Sequence, residues 1–61
     1  MIYTVQKQRG SNRYYVTHVN DKNTPLSPFY PEKRKALKAA AKMEGISYKQ
    51  YLRLRKTEVN I

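Results

Sequence analysis

Two runs of β-forming residues are separated by a short turn near the amino end of the chain. Residues 2–9, IYTVQKQR, and residues 13–20, RYYVTHVN, are rich in β-branched and aromatic side chains. Gly10, Ser11 and Asn12 join the two runs, and these residue types are common where a strand reverses direction. The first third of the chain therefore predicts an antiparallel β-hairpin, on which the rest must pack.

A proline-rich segment follows the hairpin and limits the size of the sheet. Residues 21–23, DKN, favour a second turn, and TPLSPFYP then places prolines at positions 25, 28 and 31. Proline has no amide hydrogen to donate to a β-ladder, so these residues exclude a central strand. A third strand is compatible with the sequence only as an irregular edge strand over residues 26–30.

Two helices are predicted in the carboxyl-terminal half. Strong helix formers fill residues 32–44, and Gly45 is a suitable stop. Ser47 can cap a second helix over residues 47–58. The chain thus predicts one small α+β domain, in which an antiparallel sheet of two to three strands packs on the first helix and the second, short helix follows.

Helical periodicity gives each helix an apolar side and a basic side. The apolar side of the first helix comprises Ala36, Leu37, Ala39, Ala40, Ala41 and Met43. The second helix can dock through Tyr48, Tyr51, Leu52 and Val59. The cationic residues form a secondary basic stripe, Arg34, Lys38, Lys42, Lys49 and Arg53. This stripe is either a solvated face or a contact for a second nucleic-acid segment or an acidic protein.

Composition restricts the chemistry and the partner. With no cysteine, one histidine and four dispersed acids among 61 residues, we expect no disulfide, metal site, cofactor or catalytic group. Thirteen Lys and Arg give a net charge of +9, which favours a polyanionic partner. We expect a nucleic-acid partner, with DNA favoured over RNA and RNA left as an alternative, and no membrane. Without a signal peptide or membrane-spanning run, a soluble cytoplasmic protein is expected.

The hairpin offers two alternative faces to a partner. If Arg9 pairs with Arg13, then Gln8 lies opposite Tyr14, Gln6 opposite Val16 and Thr4 opposite His18 on the exposed face, while Tyr15 and Val19 enter the core. A loop that differs by one residue would swap the faces and expose Lys7 and Arg9 instead. Glutamine can pair with adenine and arginine with guanine or phosphate. The candidate nucleic-acid-binding residues are Gln6, Lys7, Gln8, Arg9, Arg13, Tyr14 and His18.

The order strand, RGSNRYYV, strand, short third strand and FYPEKRKALKAAAKMEG resembles a known pattern over residues 2–44. It is similar to the AP2-like, arm-type DNA-binding domains at the amino end of many phage and transposon tyrosine recombinases. That resemblance implies a sheet that enters the DNA major groove with a helix packed behind it. By position it implies contacts from Arg9, Arg13 and Tyr14, and a free-standing binding module rather than a recombinase.

Residues 35–56 resemble a second pattern. KALKAAAKMEGISYKQYLRLRK is similar to the spacing of helix-turn-helix repressors and to the helix pair of ribbon-helix-helix repressors. In the helix-turn-helix case Lys49, Gln50 and Arg53 would read bases. Glu44 opposes that motif, because the position normally holds an apolar residue.

Two functional hypotheses follow from the sequence. The first is a small DNA-binding accessory or regulatory factor, such as a transcription regulator, and its recombinase-like pattern suggests a phage or mobile-element origin. The second is a small interaction or inhibitor protein that docks on an acidic surface of a host protein or nucleoprotein complex. The sequence predicts neither the recognised DNA site nor the oligomeric state.

Overall fold

The computed structural model describes the backbone of residues 1–59 and the side chains of residues 1–56. Two antiparallel strands, β1 (Tyr3–Lys7) and β2 (Tyr14–His18), precede two helices, α1 (Lys33–Glu44) and α2 (Tyr48–Val59). The hairpin packs against the helices, and the predicted α+β class is confirmed. None of the described helices is long and apolar enough to cross a membrane.

The ends of α1 follow from its flanking residues. Glu32 has extended backbone geometry, and its carbonyl accepts from the amides of Lys35 and Ala36, so the helix begins one residue later than predicted. At the other end Gly45 has a φ of 77°. The Gly45 amide donates to the Lys42 carbonyl over 3.1 Å and the next amide donates to the Ala41 carbonyl over 3.1 Å. This glycine-dependent cap satisfies carbonyls that the helix itself leaves free.

Ser47 begins α2 as the sequence predicts. Its hydroxyl accepts a hydrogen bond of 3.1 Å from the Gln50 amide, and its carbonyl accepts one of 2.9 Å from the Tyr51 amide. A serine side chain in this position supplies a hydrogen-bond acceptor to a first-turn amide, which has no acceptor within the helix. The two helices are therefore joined by only Gly45, Ile46 and Ser47.

The strand register differs by one residue from the predicted one. The paired residues are Tyr3 with His18, Thr4 with Thr17, Val5 with Val16, Gln6 with Tyr15 and Lys7 with Tyr14. The expected pairs of Gln6 with Val16 and Gln8 with Tyr14 are wrong. The physical reason is the turn: the Gln8 amide donates to the Arg13 carbonyl over 2.8 Å, so the connection has four residues instead of three.

In this register the side chains of β1 point to the faces expected for them, whereas each side chain of β2 points to the face opposite to the expected one. Tyr3, Val5 and Val16 face the helices, since they belong to or pack against the buried core. In an antiparallel pair, opposite residues share a face, so Tyr15 lies on the side away from the helices with Gln6. The expectation that Tyr15 and Val19 build the core is wrong, because Val16 takes that place.

The core is small and lies between the hairpin and the two helices. Its buried members are Val16, Leu37, Ala40, Ala41 and Tyr51, with Ala36 also buried. Around this core pack the half-buried residues Met1, Tyr3, Val5, Ala39, Ile46, Tyr48 and Leu52. The alanines of α1 let its backbone approach the sheet closely, which suits a chain too short for a thick core.

Two predicted core positions have other outcomes. Met43 is 38% exposed, which corrects its assignment to the apolar side of α1. At 100° per residue it lies about 90° from the middle of the buried stripe, at the edge of what the hairpin covers. The side chain of Val59, expected on the docking face of α2, lies outside the described side chains.

The proline segment runs along the free edge of β2 without forming a regular strand. Tyr30 and Tyr14 exchange two backbone hydrogen bonds of 2.7 Å, and the Leu26 amide donates to the Val16 carbonyl over 2.7 Å. Between them, the Ser27 hydroxyl accepts from the Val16 amide over 2.9 Å, replacing a carbonyl of a regular ladder. We call residues 26–30 the edge segment. The regular sheet has two strands, and the edge segment lies along β2 as an irregular third strand.

Candidate nucleic-acid interface

The hairpin tip, residues 8–13, is held by its own hydrogen bonds. The Ser11 amide donates to the Gln8 carbonyl over 3.2 Å, and Gly10 takes a φ of 79° that glycine adopts without strain. The Ser11 hydroxyl donates to Gln8 Oε1 over 2.9 Å and accepts from the Arg13 amide over 3.2 Å. The tip is therefore ordered before any partner binds.

Two exposed arginines flank this ordered tip. Arg9 follows Gln8, Arg13 precedes β2, and both side chains are exposed. Within the described part of the chain, neither guanidinium has an ion-pair partner. Because a guanidinium carries several fixed donors, the tip can bind phosphate oxygens or the guanine edge without first breaking an internal contact.

The side of the hairpin that faces away from the helices is the open face. Strand alternation places six residues on it: Thr4, Gln6, Gln8, Arg13, Tyr15 and Thr17. Thr17 is fully buried, so the accessible part of the open face is the half nearer the tip. This half carries amide and guanidinium groups beside an aromatic ring.

An aromatic pair lies across the open face. The Phe29 ring of the edge segment is 4.9 Å from the Tyr15 ring between centroids, with an angle of 40° between the ring planes. Phe29 is 40% exposed, while Tyr15 is half-buried. Phe29 therefore lies on the open face and not beneath the sheet, because Tyr15 points outward and contacts it there.

The predicted site residues divide between the two faces. Gln6, Gln8 and Arg13 share the open face, and Arg9 lies in the turn beside them. Tyr14 and Lys7 are paired with each other on the helix side of the hairpin, where Tyr14 is half-buried. The expectation that Tyr14 shares a face with Gln6 and Gln8 is therefore wrong.

The expectation that His18 shares the exposed face is also wrong, because it lies on the helix side, at the end of the hairpin farthest from the tip. It pairs with Tyr3, and its Nδ1 accepts a hydrogen bond of 3.0 Å from the Asn20 amide. That bond requires an unprotonated Nδ1, and it holds the second turn. His18 is thus separated from Arg9 and Arg13 by the length of the strands, about 17 Å at 3.4 Å per residue.

Two acids lie at the end of the hairpin opposite the tip, and the described acid Glu32 is 3.8 Å from Arg34. Asp21 lies beyond His18, where its carboxylate accepts from the Thr24 hydroxyl over 2.8 Å and the Asn23 amide over 3.3 Å. Glu44 accepts from the amides of Ile2 and Tyr3 at the same end of the hairpin. Positive charge therefore dominates the tip, while two of the four acids lie at the opposite end.

The secondary basic stripe lies on a different surface from the open face. The buried residues of α1 face the hairpin, so Lys38 and Lys42 are on the outer side of the helix, and Lys49 is exposed on α2. Lys38 Nζ lies 5.6 Å from the centre of the Tyr48 ring, and Arg34 is 3.8 Å from a Glu32 carboxylate oxygen. Arg53 is exposed and has a further contact.

Sequence reasoning missed Tyr15 and Phe29 as members of the accessible face. The available signal was the FYP triplet, where one aromatic residue pairs with the hairpin backbone and its neighbour is free to contact the sheet.

Among the described residues there is no group of three side chains able to hold a metal ion and no enclosed pocket. No protein-family model, curated protein or solved structure matches the chain.

Proposed function

We propose that this chain binds duplex DNA through the hairpin tip and the open face, as a small accessory or regulatory factor. The observation that carries the proposal is a helix-free sheet face with Gln6 and Gln8, bordered by the exposed guanidinium groups of Arg9 and Arg13. Amide and guanidinium groups are those that read base edges and phosphates. The net charge of +9 supplies the attraction on which such contacts depend.

The dimensions of the sheet support a major-groove contact. Strands lie about 4.8 Å apart, so β1, β2 and the edge segment span about 10 Å. The major groove of B-DNA is about 12 Å wide and admits a narrow sheet, while the minor groove, at about 6 Å, does not. The helices pack on the other side of the sheet and stay clear of such a contact.

Within the open face, Gln6 is the better candidate for reading a base. The Gln8 oxygen already accepts from the Ser11 hydroxyl, whereas the Gln6 carboxamide makes no hydrogen bond with the described residues. A carboxamide with donor and acceptor both free can bind the N6 and N7 groups of adenine together. Gln8 instead helps to shape the tip that presents the arginines.

The helix pair is a weaker candidate for DNA recognition. Glu44 ends α1 beside the short connection to α2, and its carboxylate is committed to the amides of Ile2 and Tyr3. A negative charge at that connection opposes the close approach of phosphates that a helix-turn-helix contact needs. We therefore assign Lys49 and Arg53 a supporting electrostatic role at most.

A backbone NMR titration tests the proposal directly. The labelled chain is titrated at low salt with a generic duplex, single-stranded DNA and a structured RNA. We expect the duplex to shift the amides of residues 6–15 and 29, with the outer surface of α1 nearly unchanged. Shifts centred on α1 and α2, or tighter binding of single strands or RNA than of the duplex, would overturn this assignment.

A second candidate function is docking on an acidic protein surface, and one observation favours it. Leu26 is 44% exposed in the same edge segment as Phe29, which gives an apolar anchor on a chain with a net charge of +9. Affinity capture from a nuclease-treated extract separates the two functions. Retention of one stoichiometric protein after nuclease treatment, together with absence of duplex binding, would favour this second function.

A further inference from the structure

Phe29 is an exposed aromatic residue whose position is fixed by the backbone around it. The next residue, Tyr30, exchanges two hydrogen bonds of 2.7 Å with Tyr14, and prolines stand at positions 28 and 31. The Phe29 ring contacts Tyr15, and 40% of the residue is exposed to solvent. A rigid apolar surface of this kind loses little conformational freedom when a partner covers it.

Gln6, Tyr15 and Phe29 form a row across the open face. Gln6 is directly opposite Tyr15 in the strand register, and Phe29 lies on the far side of Tyr15. We call these three residues the cross-strand row. One end of the row carries an unengaged carboxamide and the other an exposed ring, with about 10 Å between them from the strand spacing.

The two ends of the row match the two bases of one kind of base pair. In the major groove adenine presents an acceptor and a donor that a glutamine carboxamide binds together, while thymine presents a methyl group that takes apolar contacts. A G·C pair has no methyl group in the major groove, so Phe29 would lose this apolar contact there. The chemistry of the row is therefore complementary to A·T pairs.

We propose that the cross-strand row gives the protein a preference for A·T pairs, with Gln6 on adenine and the Phe29 ring against the thymine methyl group. This inference rests on the proposed duplex binding by the open face and deepens it by naming what the face recognises. Arg9 and Arg13 then hold the phosphates at the rim, which positions the sheet without sequence preference.

Replacement of thymine by deoxyuridine tests the methyl contact without altering charge or base pairing. Two otherwise identical A·T-containing duplexes, one with thymine and one with deoxyuridine, are compared by fluorescence anisotropy at one salt concentration. We expect the wild-type chain to bind the thymine duplex about fourfold more tightly for each methyl group contacted, the value of one buried methylene. This comparison needs no variant, so it does not depend on how a substitution affects folding.

Two variants assign the preference to Phe29. Phe29→Ala should bind the thymine and deoxyuridine duplexes equally, while its salt dependence stays that of the wild type. Leu26→Ala is the matched control, because it removes an exposed apolar side chain from the same edge segment and should keep the preference. A duplex containing 7-deazaadenine, which lacks the N7 acceptor, should weaken wild-type binding but leave Gln6→Ala unaffected.

The outcomes separate this inference from the function on which it rests. If the wild type binds both duplexes with equal affinity, duplex binding stands and the A·T preference is overturned. The inference is also overturned if the preference survives in Phe29→Ala, since another group would then contact the methyl. Absence of binding to any duplex at low salt would overturn the proposed function and this inference together.

Discussion

The Tyr51 hydroxyl donates a hydrogen bond of 2.9 Å to the carbonyl of Tyr3, joining the first turn of α2 to the first strand. The two residues are 48 positions apart, and the Tyr51 ring is fully buried in the core. A buried tyrosine needs a partner for its hydroxyl, and here that partner is a backbone group at the start of the sheet. The bond therefore links the last element of the chain to the hairpin on which the open face depends.

Tyr51→Phe should destabilise the fold by about 1–2 kcal/mol, because the Tyr3 carbonyl loses its partner while the ring stays packed. For a chain of this size that corresponds to a fall in Tm of about 8–16 °C, measured by circular dichroism. Tyr48→Phe is the matched control, since the Tyr48 ring contacts Lys38 through its face and phenylalanine keeps that contact. Equal Tm values for the two variants would contradict the importance of the Tyr51 bond.

Glu44 anchors the amino end of β1 from the last turn of α1. Its Oε1 accepts from the amides of Ile2 and Tyr3 over 2.7 and 2.6 Å. A carboxylate at a helix carboxyl end is disfavoured by the helix dipole, so these two charge-assisted bonds must more than offset that cost. The residue that opposed a helix-turn-helix reading of the sequence thus has a structural role.

Glu44→Ala should cost about 2 kcal/mol of stability, because two strand amides lose their acceptor. Glu32→Ala at the other end of α1 removes the same charge from an exposed ion pair and should cost less than about 0.5 kcal/mol. Urea denaturation gives both free energies. A Glu44→Ala cost no greater than that of Glu32→Ala would show that the amino end of β1 does not depend on this carboxylate.

Gly45 is required for its backbone geometry rather than for space. Its φ is 77°, and a Cβ atom at this position would meet nothing within 4 Å. Gly45→Ala should therefore lower stability by about 1–2 kcal/mol, from left-handed strain alone. Gly45→Asn should cost less, because asparagine tolerates this conformation better, and thermal denaturation can rank the two. If Gly45→Asn lowers stability as much as Gly45→Ala, the loss would instead have a steric cause.

The strand register gives a prediction that NMR can check without any mutation. The hydrogen bond from Gln8 to Arg13 makes Val5 and Val16 a non-hydrogen-bonded pair, whose Cα atoms approach to about 4.5 Å. A strong Hα–Hα nuclear Overhauser effect is therefore expected between Val5 and Val16. A corresponding signal between Gln6 and Val16 would instead indicate the three-residue loop and return Tyr14 to the open face.

The helices and their ends were predictable because their signals are local. Ser47 and Gly45 are residue types with strong preferences at helix ends, and both take those positions. The alternation of β1 was also readable, since Tyr3 and Val5 differ clearly from Thr4 and Gln6. These features depend on neighbours within a few residues, which a sequence displays directly.

The orientation of β2 was not predictable from the same kind of signal. Tyr14, Val16 and His18 are no more clearly a core set than Tyr15, Thr17 and Val19, so hydrophobic alternation does not select a register. The Gly-Ser-Asn turn fits loops of three or four residues, and the choice depends on the bond between Gln8 and Arg13. Tertiary packing of Val16 against Val5 and Leu37 favours one of them.

The position of Phe29 on the open face was not predicted, for a related reason. The edge segment has no periodicity, so nothing local indicates where each side chain points. Its contact with Tyr15 exists only because the register turns Tyr15 away from the helices. A single residue of loop length thus decides both the composition of the open face and the presence of an aromatic pair on it.

The tip and the helix stripe can be compared by two double variants that each remove two positive charges. Arg9→Ala with Arg13→Ala alters the tip, and Lys35→Ala with Lys42→Ala alters the outer side of α1 while leaving the Lys38 contact with Tyr48 intact. If the tip arginines bind phosphates, the first variant should reduce the slope of log affinity against log salt by about two units.

The second variant should change that slope little, because its lysines lie on the helix side of the sheet. Both variants carry the same net charge, so a difference between them reports position and not total charge. Affinities measured at three or more salt concentrations by anisotropy give the slopes. Equal loss in the two variants would indicate diffuse attraction, and a larger loss for the lysine variant would move the DNA contact to α1.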